Sequence, residues 1–248
     1  MKVLSVAGYH RSGKTTVVVE LIKELRKRGY RVVSIKDIHT DDFSMEKEGS
    51  NSWKHWQASG EVVFARGHDE TYQIWHRKLG LNEMLAHLEA DWVVVEGMKS
   101  AALPRIICAE NEAQLEELVD GTVFAISGKI SDDHSSFGDL PVFKAERDIR
   151  ELTDRVEAKV FAVLPLPKDE CCGECGLSCR EMVAAILQGN RKRSDCRIDG
   201  ETEIKVLLGG DELKIVPYVQ RTLKDIIEAY LNNLKGYRKG KEIEIRIK

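Results

Sequence analysis

The chain contains no run of about eighteen apolar residues, so it offers no ordinary membrane-spanning helix. It shows no small-residue cleavage site near its start. Lys2-Val3-Leu4-Ser5-Val6-Ala7 reads as a buried strand, not as a signal peptide, and a cytoplasmic protein is expected. It carries no large charge of either sign. A net charge of −3 over 248 residues argues against a broad nucleic-acid-binding surface. No internal repeat is present. Cysteine is sparse over most of the chain, but five of the six fall between 171 and 196. In a reducing compartment such crowding favours metal ligation over disulfides. The apolar fraction of 42% suffices for a packed core, and the length suits one full α/β domain with a smaller companion.

Up to about residue 158 strand-like and helix-like stretches alternate. Val3–Ala7 is a short apolar strand, and Thr16–Gly29 carries Val17, Leu21 and Leu25 at helical spacing before a terminal glycine. Arg31–Lys36 reads as a strand, and the polar residues 37–52 as a long functional loop. Further strands are expected at Val62–Ala65, Trp92–Val95, Arg105–Ala109 and Val123–Ser127, with a helix over Leu79–Leu88. Around Trp53 and Trp56 a short amphipathic helix packing its tryptophans is expected. This order predicts an α/β, P-loop NTPase-like fold: a mostly parallel sheet with helices on both faces. The two prolines in Val163-Leu164-Pro165-Leu166-Pro167 suggest a linker over 159–168. A cysteine-rich segment, 169–198, follows with a helix over Arg180–Leu187. The last part, 199–248, reads as a small α+β unit: a hairpin about Gly209-Gly210, a helix over Tyr218–Leu234 and a strand over Glu242–Ile247. The expected domains are therefore 1–158, linker 159–168, cysteine module 169–198 and 199–248.

Gly8-Tyr9-His10-Arg11-Ser12-Gly13-Lys14-Thr15 fits G-x-x-x-x-G-K-[ST] in full, between an apolar strand and a helix. Such glycines let successive backbone N–H groups curl inward onto phosphate oxygens. Gly8, Arg11, Ser12, Gly13, Lys14, Thr15 and Thr16 are the candidate nucleotide-binding residues. Lys14 can reach the terminal phosphates, and Thr15 can offer its hydroxyl to Mg²⁺. Glu96, closing the apolar strand Trp92–Val95, and Asp37, ending the strand after the first helix, are the candidate carboxylates for the same ion. Asp41, Asp42 and His39 lie in the following loop. The segment Ser127-Gly128-Lys129-Ile130-Ser131-Asp132 does not fit the guanine-reading Asn-Lys-x-Asp, so these residues leave GTP and ATP both open.

Cys172-x₂-Cys175-x₃-Cys179 places three thiols in one tight loop, with Gly173 and Gly176 allowing the bends, and Cys196 follows a probable helix. Three close cysteines and one distant suit a [4Fe–4S] cluster; structural zinc, which more often uses two separate C-x₂-C knuckles, is the alternative. Cys171 is a spare thiol or substitute ligand, and Cys108 reads as a core residue.

Several motifs taken in order resemble the MobB family of molybdopterin-guanine dinucleotide biosynthesis adapter proteins. They are the loop Gly8–Thr16, the strand Val32–Lys36 with His39 and Asp41 beyond it, Gly49-x-x-Ser52-Trp53-x-His55, and Asp91-x-Val-Val-Val-Glu96-Gly97-x-Lys99. Asp37 stands where many relatives carry a histidine, and Asn51 where they carry an acid. The resemblance covers roughly the first 160 residues. It implies a homodimeric GTP–Mg²⁺-binding adapter, a weak GTPase at most. The adapter would assist the molybdopterin guanylyltransferase that attaches GMP to molybdopterin, and would help pass the cofactor to apo-molybdoenzymes, of molybdenum or tungsten type. The segment from Leu166 to Cys196 resembles a separate iron–sulfur module of redox subunits and corrinoid proteins, with one residue fewer between Cys175 and Cys179. Two other functions fit the residues: a nucleotide-driven metal or cluster chaperone, and a biosynthetic kinase or ligase using His39, His55 or His68 as a base.

Overall fold

A computed structural model describes residues 1–40, 43, 44, 46–165, 174–196, 206–208, 211–213, 217–234, 236, 237 and 243. The chain divides into two compact units, Met1–Arg193 and Ser194–Lys248.

The first unit is built on five parallel strands: β1 (Lys2–Gly8), β2 (Val32–Lys36), β5 (Trp92–Glu96), β6 (Arg105–Cys108) and β7 (Val123–Ser127), in the order β2-β5-β1-β6-β7. Strands β5, β6 and β7 are buried along their whole length, which is why they read as continuous apolar runs and not as alternating ones. Val3, Val93 and Val95 meet Leu85 of α3 (Leu81–Ala86), while Ala7, Ile107 and Ile126 meet Leu115 and Leu118 of α4 (Glu112–Leu118). The residues that alternate with these, Leu4, Val6, Val94 and Ile106, are fully buried too, so both faces of the sheet are covered. Helix α1 (Lys14–Lys27) packs on β1, β2 and β5, and along α5 (Ala145–Lys159), which packs on β7. Arg28, just past α1, clasps Asp154 and Glu157 of α5.

The strand expected at Val62–Ala65 is not part of this sheet. It is β3 (Val63–Arg66), paired antiparallel with β4 (Thr71–Ile74) in a hairpin of its own. Helix α2 (Asn51–Ser59) precedes it, started by the Ser50 hydroxyl accepting from the Trp53 N–H at 3.1 Å. The loop after β2 therefore ends at residue 50. A second small hairpin, β8 (Ser136–Phe137) with β9 (Leu140–Pro141), sits beyond β7. After α5, Val160 and Leu164 are buried, Ala162 bridges Lys2, and the Val163 N–H donates to the Met1 carbonyl at 3.1 Å. The described part of the expected linker thus runs against the start of β1. Helix α6 (Cys179–Leu187) follows, begun by a reciprocal pair: the Glu181 N–H donates to the Ser178 hydroxyl, and the Ser178 N–H donates to the Glu181 carboxylate.

In the second unit β10 (Val206–Leu208) pairs antiparallel with β11 (Asp211–Leu213), and α7 (Pro217–Leu231) follows. Gly209-Gly210 and the strand expected over Glu242–Ile247 lie outside the described residues, Ile243 apart. Among the described residues no helix is long and apolar enough to cross a membrane.

Candidate functional site

The sheet order sets the place of the site. From β1 the chain passes outward to β2 on one side, and after β5 it crosses to β6 on the other. The crevice beyond the C-terminal end of β1 is thus a topological switch point, where open α/β sheets bind ligands. The loop Gly8–Gly13 fills that position.

Three glycines make the loop possible. A Cβ on Gly8 would fall 2.1 Å from the Cys108 carbonyl oxygen of β6. Gly13, at φ +97°, starts α1, and a Cβ there would press on the Cα of Gly128 at 3.1 Å. Gly128, at φ +88°, lies beneath the loop, and a Cβ on it would stand 2.2 Å from the Ser12 carbonyl oxygen. Arg11 also holds a positive φ, 61°, an unusual state for a residue with a side chain and one that clusters at ligand clamps. Buried Ser12 donates its hydroxyl to the Tyr9 carbonyl at 2.9 Å, and the Lys14 ammonium donates to the same oxygen. The Lys129 N–H donates to the Ser12 carbonyl at 3.3 Å, tying the end of β7 to the loop.

The first turn of α1 has no side-chain cap and no acidic residue, whereas its last turn holds Arg26 and Lys27. Its leading N–H groups and the positive end of its dipole are left for an anion. Burial lowers the pKa of Lys14, and Lys99 and Lys36 add to this; nearby Glu96 opposes it. An arriving phosphate would supply the missing counter-charge. Cys108 itself is fully buried, and burial pushes its thiol up to about 12, so it stays protonated and packs.

Glu96 ends β5 beside this helix start. Its carboxylate Oε1 accepts the Thr15 hydroxyl at 3.0 Å and lies 3.2 Å from the Lys36 ammonium. The Glu96 side chain is 12% exposed, while Lys36 is 58% exposed. A hydroxyl from the phosphate loop beside a buried strand-end carboxylate is a donor set that fits Mg²⁺ held directly and through water. Asp37 continues from β2, its N–H donating to the Glu96 carbonyl at 2.9 Å, and its carboxylate faces His39 at 3.2 Å. Gly97 makes room for it, since a Cβ there would reach the Asp37 Cβ at 3.0 Å. Thr16 sits exposed in the first turn of α1. The structure therefore brings Gly8, Ser12, Gly13, Lys14, Thr15 and Glu96 together, with Asp37 on the neighbouring strand end.

Three participants were missed by reading the sequence. Lys36 is the register partner of Glu96 across β2 and β5. Lys99 places its ammonium over the Tyr9 ring at 4.2 Å. Gly128 supports the loop from below. Gly128 carried a signal, because a glycine closing an apolar strand often marks a close backbone approach, and Lys99 carried one as the last residue of the motif that begins at Asp91. The tryptophans of α2 are half-buried. Trp56 stacks on His76 at 3.8 Å, and Trp53 meets Trp56 edge-on at 6.5 Å. His55 lies exposed on α2, and His68 exposed in the turn between β3 and β4.

Of the four cysteines, Cys172 lies outside the described residues, as do Cys171, Asp41 and Asp42. Cys175 is half-buried, its thiol donating to the Leu177 carbonyl at 3.5 Å, and half-buried Cys179 opens α6. Cys196 is buried in the second unit. Among the described residues no three His, Cys, Asp or Glu side chains gather about one point.

Comparison with known proteins addresses the same region. The family model for molybdopterin guanine dinucleotide synthesis protein B (MobB) matches residues 3–129, just over half of the chain. A putative molybdopterin-guanine dinucleotide biosynthesis adapter protein of Methanocaldococcus jannaschii is 27% identical over 255 residues, covering 100% of this chain and 97% of its own. The corresponding adapter protein of Haemophilus influenzae is 34% identical over 116 residues, 44% of this chain and 64% of its own. The crystal structure of Bacillus subtilis MobB superposes with a TM-score of 0.54 at 22% identity, covering 66% of this chain and 100% of that one, which establishes a shared fold. The matched span runs from β1 to Lys129 and so holds every element that shapes the cradle. On this sequence match, the chain belongs to the MobB family.

Proposed function

We propose that this protein is a GTP-binding adapter in molybdenum or tungsten cofactor biosynthesis, acting in the cytoplasm as a homodimer. Its partners are the molybdopterin guanylyltransferase, molybdopterin itself and the apo-molybdoenzymes that receive the finished cofactor. The carrying observation is the Thr15–Glu96 hydrogen bond at 3.0 Å beside an uncapped helix start, in a chain of this family. The backbone of Gly8–Gly13 and Lys14 grip the phosphates. Arg11 and Thr16 shape the rim, buried Ser12 braces the loop from within, and Thr15 and Glu96 hold the metal, with Asp37 behind them. Bound Mg²⁺ supplies charge neutralisation at the terminal phosphates. GTP in place of ATP rests on the family resemblance. A weak GTPase, one that signals occupancy in preference to turning over rapidly, likewise rests on the family resemblance.

Cys172, Cys175, Cys179 and Cys196 are proposed to hold a [4Fe–4S] cluster, with zinc as the alternative. Support comes from their spacing and from the firmly capped α6 that fixes Cys179. The relative from Methanocaldococcus jannaschii aligns along the whole chain, so the C-terminal part is not peculiar to this protein.

The functional test is reconstitution. Guanylyltransferase, molybdopterin and GTP are combined with limiting Mg²⁺, with and without this protein. Formation of the dinucleotide is expected to be stimulated by the wild type and not by Lys14→Ala. Equal stimulation by both would sink the nucleotide-dependent adapter reading.

A further inference from the structure

Lys36 is the residue whose arrangement the nucleotide reading alone does not account for. It ends β2, and the parallel register places it directly beside Glu96. Its ammonium lies 3.2 Å from the same Oε1 atom that accepts the Thr15 hydroxyl at 3.0 Å. Glu96 is nearly buried, where water screens a contact between opposite charges weakly. Lys14 is the other cation whose charge reaches it, but the Lys14 ammonium donates to the Tyr9 carbonyl inside the loop. Among the described residues Lys36 is therefore the cation in ion-pair contact with Glu96.

The two donors on Oε1 differ in what they allow. Thr15 donates its proton to Glu96, which turns the hydroxyl lone pairs away from the carboxylate, ready to accept a cation. That bond can persist when a metal binds. The ammonium of Lys36 is itself a compact cation on the carboxylate, and a dication beside the same oxygen would face it at close range with strong repulsion. One of the two must leave. Lys36 has the means: its side chain is 58% exposed and hangs on a flexible four-carbon stem.

We infer that Lys36 is a built-in monovalent stand-in for the divalent cation. It holds the Glu96 carboxylate in place beside Thr15 before ligand arrives, and Mg²⁺ entering with the nucleotide displaces it. Released, the ammonium remains at the mouth of the cradle, where the phosphates bring new negative charge. Lys36 is thus a positioning residue that sets how much Mg²⁺ nucleotide binding requires. This inference rests on the nucleotide reading given above.

The test is a Mg²⁺ titration at fixed fluorescent GTP analogue, for wild type and Lys36→Gln, with a crystal structure of the wild type bound to Mg²⁺ and a non-hydrolysable GTP analogue. Removing the competing ammonium is expected to lower the half-saturating Mg²⁺ about three- to tenfold, the scale of one partly exposed ion pair. In EDTA the same variant is expected to bind the analogue more weakly than wild type, because a positive charge has been lost. In the crystal the Lys36 ammonium is expected to have left Glu96. An unchanged or raised Mg²⁺ requirement in Lys36→Gln would overturn the inference, as would Lys36 still in contact with Glu96 beside a bound ion. Wild type binding the analogue with no Mg²⁺ dependence would overturn the inference alone. Wild type binding no nucleotide at all would overturn the parent reading with it.

Discussion

Gly128 shows how far a single backbone position controls the cradle. Its φ of +88° and the 2.2 Å approach of a notional Cβ to the Ser12 carbonyl leave no room for a side chain. Gly128→Ala is expected to cost about 1–3 kcal/mol through backbone strain. The same change should push the loop out of shape and weaken GTP binding about tenfold or more, although residue 128 touches no phosphate in the proposed mode. Thermal unfolding and fluorescence titration of the variant would check both effects. The residues of Gly8–Thr15 were legible in the sequence because they are contiguous and their spacing carries the chemistry. Glu96 was legible because it ends an apolar run. Lys36, and the contact that Lys99 makes, were not, because they arise through space: one from strand register, the other from a ring meeting an ammonium. Asp37 was read as a metal carboxylate from its place at a strand end, and its carboxylate lies 3.2 Å from the His39 ring nitrogen.

Between the elements, Asp120 joins what the chain order separates. It precedes β7 and pairs with Arg105 of β6 at 2.6 Å and with Arg180 of α6 at 2.6 Å. Both arginines also donate to the Lys99 carbonyl, at 3.1 Å and 3.3 Å, in the segment that follows Glu96-Gly97. The Arg105 side chain is only 3% exposed, so losing its partner leaves a buried cation. Asp120→Ala is expected to cost about 2–3 kcal/mol, a little below the range for a fully buried pair because Asp120 is partly open to water. Burial acts to raise the Asp120 pKa, but the Thr122 hydroxyl and the two arginines outweigh it and hold the pKa below its ordinary 3.8. A carboxylate depressed in the folded state contributes stability above its unfolded pKa and loses it as pH falls further. The difference in Tm between wild type and Asp120→Ala should therefore be constant from neutral pH to about 5 and narrow below 3.8. Differential scanning calorimetry across that range would check it; a gap that widens on acidification would contradict it. Element reading failed where charge hid an apolar stripe. Helix α5 carries Leu152 and Val156 at helical spacing, but the helix is rich in charged residues and bends at Asp148. Helix α4 was hidden in the same way within an acidic stretch. The strand at Val63–Arg66 was found by its apolar character, but short runs carry no sign of which sheet will take them.

For the whole molecule, the parallel fold was readable because doubly covered strands are apolar throughout, and the order of motifs carried the family. The C-terminal part was less readable: its cysteines are informative by spacing, while their geometry depends on residues the sequence pattern does not position. Anaerobic purification followed by absorption spectroscopy and iron and zinc analysis is expected to give a brown protein with about four irons per chain. Stoichiometric zinc without iron would replace the cluster with a structural metal site.

The central claim is that the loop from Gly8 to Thr15 and the Glu96 carboxylate hold a magnesium nucleoside triphosphate. Calorimetric titration of GTP into wild type and Lys14→Ala, with Mg²⁺ present, tests this most directly. Saturable one-site binding to the wild type and none to the variant is the expected result. Equal heats from both proteins, or none from the wild type, would contradict it.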